Sequence, residues 1–113
     1  MAETAERATV RHRDGVAVID MPASIELTSE KTLDEAYAAA AGKGALLLNF
    51  SGTEYINSSG IALIVGILAR ARKEGRALAA YGLSDHYREI FEVTRLADFM
   101  GLFPNEQAAV AAR

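Results

Sequence analysis

The chain contains no cysteine. That excludes disulfides, thiolate nucleophiles and sulfur-based metal sites, and it fits a reducing compartment. Histidine is nearly as scarce, with two residues, His12 and His86. Neither has clustered acids or cysteines around it, so a metal site has no support. The longest apolar run, residues 61–69, is far short of the roughly 20 residues that a bilayer span needs. The first seven residues lack the apolar stretch of a signal peptide. A formal net charge of −3 supplies no field to attract nucleic acid or an acidic membrane. These absences together read as a cytoplasmic soluble domain.

What is present is ordinary globular composition, 50% hydrophobic and 24% charged over 113 residues, the size of one domain. Residues 1 to about 7 are expected as a short mobile lead-in, and 8–113 as a single domain. Residues 9–13 alternate as an edge strand, with Arg11 and Arg13 discouraging pairing beyond it. Asp14-Gly15 signals a hairpin turn into a strand over 16–21, which Pro22 ends. Residues 23–27 read as loop. Thr28 or Ser29 then caps a helix over 29–41, with Leu33, Ala36, Tyr37 and Ala40 on its buried stripe. Gly42-Lys43-Gly44 closes that helix rather than forming a P-loop, because a strand over 45–50 follows.

Next come a helix over about 58–74, a strand over 76–81 and a helix over 85–94. A turn or short helical piece (96–100), a short edge strand at Leu102-Phe103 and a last helix capped by Asn105 complete the chain. Strands separated by single helices predict an α/β domain. Its sheet should be mixed but mostly parallel, with four or five strands and about four helices packed on it. In such sheets the functional surface lies beyond the C-terminal strand ends, so residues 24–26 and 53–59 should meet along one edge.

The most informative stretch runs from Asn49 to Gly60. A strand ends in a polar turn, and Asn57, Ser58 and Ser59 then open an almost wholly apolar helix. Unpaired N–H groups and the positive dipole end collect at such a mouth, so a serine there can act as a cap, an anion ligand or an acceptor of covalent phosphate. Phosphate would add about −1.5 to −2 charge. The dipole would favour it by about 0.3–1 kcal/mol, and Glu26 and Glu54 would oppose it. Residues 56–60 lack the first glycine of a hydrolase elbow, so nucleophilic catalysis has little support.

The element order and the run Phe50-Ser51-Gly52-Thr53-Glu54-Tyr55-Ile56-Asn57-Ser58-Ser59-Gly60-Ile61 resemble the STAS domain as found in bacterial anti-sigma factor antagonists. The family's signature there is a hydrophobic strand, a short turn, then Asp-Ser-Ser-Gly or Asp-Ser-Thr-Gly before an apolar helix. Residues 88–96 also look like the family's penultimate helix and loop. The resemblance implies a non-enzymatic regulator of transcription that works by partner switching, with no cofactor. The unmodified antagonist binds an anti-sigma factor that is also a serine kinase. Phosphorylation of the first signature serine releases it, and a phosphatase resets it.

Carried over, the acceptor is Ser58, with Asn57, Ser59 and Gly60 beside it and Glu26 and Glu54 nearby. Glu26 holds the place of an acidic residue of the family's surface. Asn57 stands where the family usually has Asp, which keeps helix capping and removes a charge beside the acceptor. The resemblance also admits a second role: a constitutive scaffold, as in stressosomes, or an accessory subunit of a lipid transporter, with Ser58 only a cap. A small-molecule-binding module ranks third.

Overall fold

The structure is a computed structural model that describes residues 7–40, 42 and 44–112. The expected mobile lead-in (all but Arg7), Ala41 at the expected end of the first helix, and Lys43 lie outside the described residues. Among the described residues seven strands are present: β1 (Thr9–Arg13), β2 (Val16–Asp20), β3 (Ser24–Ile25), β4 (Leu46–Asn49), β5 (Tyr55–Ile56), β6 (Leu78–Tyr81) and β7 (Gly101–Phe103). Four α-helices accompany them: α1 (Glu30–Ala39), α2 (Ser58–Lys73), α3 (Asp85–Val93) and α4 (Glu106–Ala111). Short 3-10 turns occupy Leu27–Ser29 and Leu96–Asp98.

The main sheet runs β1-β2-β4-β6-β7, antiparallel only between β1 and β2. This is the mixed, mostly parallel sheet that the spacing predicts. Asp14 and Gly15 close the opening hairpin with φ of 52° and 83°, the left-handed pair that such a two-residue turn requires. The inner strands are apolar on both faces because both faces are covered. One face buries Ala17, Ile19, Leu46, Leu48 and Ala80 under α1, α2 and α3; the other buries Val16, Val18, Leu47 and Tyr81 under α4. Phe50 and Phe91 meet edge to face at 5.7 Å, locking α3 onto the end of β4.

Three local expectations are corrected. Residues 24–25, read as loop, form β3, because they find β5 as a partner distant in sequence. Ser29 stands at the N-cap position of α1 but makes no side-chain cap bond: a 3-10 turn already supplies helical backbone before it, and its buried hydroxyl instead accepts from the Glu26 N–H (3.1 Å) and donates to the Ser24 carbonyl (3.3 Å). The strand expected over 76–81, β6, begins at Leu78, not Arg76, whose buried guanidinium reaches down to the Gly44 carbonyl at 2.8 Å.

Arg11 also departs from its expected role as an outward edge charge. It grips both oxygens of Asp20 at 2.7 and 2.8 Å, and Glu106 of α4 at 2.7 Å. Asn49 bonds Asp20 at 2.7 Å, Arg13 bonds Glu106 at 2.9 Å, and the Tyr81 hydroxyl donates to Glu106. A partly exposed edge with two acids in reach satisfies the guanidinium better than water alone does. Arg11, Tyr81 and Arg13 together hold the Glu106 carboxyl down to about 2. The Arg11 guanidinium likewise keeps Asp20 below the usual carboxylate range, against its partial burial. Burial first, then its bond to Glu106, pushes the Tyr81 phenol well above its ordinary value.

Candidate functional site

The site lies beyond the C-terminal end of β4. Thr53 turns the chain by bonding its N–H to the Phe50 carbonyl (2.9 Å) and its hydroxyl to the Pro22 carbonyl (2.8 Å). The Glu54 N–H donates to the Ala23 carbonyl at 2.7 Å, and β5 then pairs in parallel with β3, Ser24 opposite Tyr55 and Ile25 opposite Ile56. A two-residue ladder is marginal by itself. This one is braced from beneath: the Tyr87 hydroxyl on α3 accepts the Ile56 N–H at 2.9 Å, a bond buried in the interior. The two loops expected to meet along one sheet edge are therefore joined by backbone bonds.

The ladder delivers Asn57 to the start of α2. Its N–H donates to the Ile25 carbonyl at 3.2 Å, and its side-chain oxygen accepts the Gly60 N–H at 2.8 Å, an N-cap. Gly60 is buried with α2's first turn pressed on β3. A Cβ there would collide with the Ile25 carbonyl oxygen and lie 2.7 Å from its carbon. Only glycine permits that approach. It fixes where the helix begins.

Ser58 is thereby held as the first residue of α2, exposed to solvent. Among the described residues its hydroxyl makes no hydrogen bond. Ser59 is half-buried, so Ser58 is the more accessible of the two. Glu26 is half-buried and, by the ladder's register, lies opposite Asn57 beside the mouth. Glu54 is exposed opposite Ala23, about 10 Å along the strand at roughly 3.3 Å per residue. The two acids therefore do not face one another across Ser58 as a pair. Neither histidine comes to the site as a ligand: both are exposed, and His86 packs edge to face on Tyr87. Among the described residues no group of three or more His, Cys, Asp or Glu is placed to hold a metal, and no helix is long and apolar enough to cross a membrane.

The site is thus a polar helix mouth joined to a strand ladder and open to solvent. The sequence model of the STAS domain family matches residues 7–109. The chain belongs to the STAS domain family. This STAS domain is 26% identical over 110 residues to the Bordetella bronchiseptica protein BtrV, named as an anti-sigma factor antagonist, covering 94% of this chain and 92% of that one. The solved STAS domain protein from Planctomyces limnophilus, also named as an anti-sigma factor antagonist, matches it with a TM-score of 0.79. Identity is 25% over 94% of this chain and 96% of that one. SpoIIAA of Bacillus, solved in its phosphorylated form, matches with a TM-score of 0.68 at 17% identity, over 94% of this chain and 99% of that one. At that identity the likeness is one of fold.

Sequence reasoning placed Asn57, Ser58, Ser59 and Gly60 because helix-start chemistry is local. It missed Tyr87 as the brace beneath β5. Tyr87 was legible only as one of the apolar positions of α3; nothing local tells which backbone group a phenol 31 residues away will accept.

Proposed function

We propose that this STAS domain is an anti-sigma factor antagonist. Its unmodified form binds an anti-sigma factor that is also a serine kinase and so frees the sigma factor. Phosphate placed on Ser58 reverses this, and a phosphatase resets it. The observation that supports the reading is an accessible hydroxyl, engaged in no bond among the described residues, at the first position of a helix whose start is braced on three sides. Naming of BtrV as an anti-sigma factor antagonist supports the partner class.

The chemistry fits a switch of contact. Phosphate at Ser58 adds about −1.5 to −2 charge at an exposed rim. The unpaired N–H groups of α2 favour that charge, while Glu26 beside the mouth opposes it. These local terms are each about 1 kcal/mol or less, so the larger effect falls on whatever docks there. Asn57 caps as Asp would and carries no charge to repel the phosphate.

The test uses the purified chain, its kinase and ATP. Mass spectrometry should find one phosphate, on Ser58, and none in Ser58→Ala. Ser58→Asp should weaken binding to the anti-sigma factor by at least about tenfold, the consequence of one desolvated like-charge contact. Modification at another residue defeats the assignment. Undiminished binding by Ser58→Asp favours the constitutive scaffold instead.

A further inference from the structure

The face of α2 that carries Ser58 continues, exposed, along the helix through Ala62, Val65, Ala69 and Arg72, positions that recur at helical spacing. Arg72 stands about 20 Å from Ser58 along the axis at roughly 1.5 Å per residue. There the stripe becomes one wall of an open groove of about 490 Å3, whose other wall is the chain leaving α3. Val65, Ala69, Leu96 and Phe99 give it an apolar lining, to which Arg72 and Arg95 add their side chains. Val65 is 43% exposed and Phe99 53% exposed, both large apolar side chains left facing water.

Arg72 leaves one unpaired positive charge beside the groove although the chain is acidic overall. The Arg72 guanidinium lies 4.9 Å over the Phe99 ring, and no ion pair among the described residues uses Arg72 or Lys73. Arg95 holds a left-handed backbone, φ 70°, where glycine would be the unstrained choice. Its side chain points to Asp98 at 2.8 Å, so the one acid paired beside the groove is already engaged. An apolar trough between helical elements, with Arg72 as an unpaired cation beside it, suits an amphipathic helix that carries an acidic residue at the matching flank.

We propose that this groove docks an acidic amphipathic helix of a partner protein, through a contact that does not depend on phosphate at Ser58. The 15N-labelled full chain is titrated with two 14-residue helical peptides of one Leu/Phe pattern, one flanked by Glu and one by Lys. The Glu peptide should shift the amides of Val65, Ala69, Leu96 and Phe99 and bind at least about tenfold tighter than the Lys peptide. Phe99→Ser and Arg72→Glu should each weaken it by at least about fivefold. If circular dichroism shows Phe99→Ser misfolded, Arg72→Glu at its exposed helix position carries the test alone. Equal affinity for both peptides, no shifts, or shifts centred elsewhere overturn the proposal. So does a concentration-dependent dimer, seen by sedimentation, that buries the same amides.

Discussion

At Gly60 two effects of alanine oppose each other. Alanine favours a helix over glycine by about 0.8–1.0 kcal/mol, so on propensity alone Gly60→Ala stabilises α2. Against that stands the Ile25 carbonyl, which a Cβ would strike, with the Ile56 methyl 3.0 Å away on the other side. A backbone carbonyl in a paired strand cannot rotate aside as a flexible side chain would. Overpacking of this kind costs about 1–3 kcal/mol and wins. Gly60→Ala should lower the urea midpoint and weaken amide protection at Ile56 and Asn57, whose N–H bonds join α3, β3 and β5. A rise in stability would mean that α2 does not press on β3. Asn57 and Gly60 were both readable in the sequence as helix-start residues. The carbonyl that makes Gly60 indispensable was not, since it arrives from a segment 35 positions upstream.

Among the elements, α4 is the one least able to stand alone. Six residues cannot sustain an α-helix in water. It persists because Ala109 and Val110 pack on the sheet and Glu106 is gripped by Arg11, Arg13 and Tyr81. The Glu106 carboxyl falls from an ordinary 4.5 to about 2 on folding. Its contribution is therefore fully present above about pH 4.5 and is lost as the pH falls toward 2. Asp20 shifts in the same direction and adds to the same acid-side loss. Arg11 is 40% exposed, so solvent screening reduces the Glu106 share to on the order of 1 kcal/mol. Thermal melts should show Glu106→Gln less stable than the parent at pH 6, with the difference shrinking toward pH 3. A constant difference across that range would mean that the carboxylate's charge is not what holds α4. The hairpin that brings Arg11 to this cluster was legible in Asp14-Gly15. The inward turn of Arg11 was not, because its acids come from β2 and from the far end of the chain.

For the molecule as a whole, the sheet and its covered faces were legible from apolar strands alternating with amphipathic helices. Their ends were less so where a tertiary partner decides, as at β3 and Arg76. The bracing around Ser58 also bears on how a phosphate there would act. The hydroxyl makes no bond among the described residues that modification would break, and the helix start is held independently by the Asn57 cap, the Gly60 contact and the Tyr87 bond. A phosphate at this rim then has no two-state element to tip, which a transmitted conformational change would require. The local terms, dipole attraction against repulsion by Glu26, nearly offset one another. Phosphorylated and unmodified chains should therefore melt within about 3 °C of each other, since 1 kcal/mol corresponds to roughly 4–8 °C in a domain of this size. Amide shifts should be confined to the first turn of α2 and to β3 and β5. Shifts that spread to α4 and the Arg11–Glu106 cluster on the opposite face of the sheet would show instead that the whole domain rearranges, and that release is transmitted through the fold.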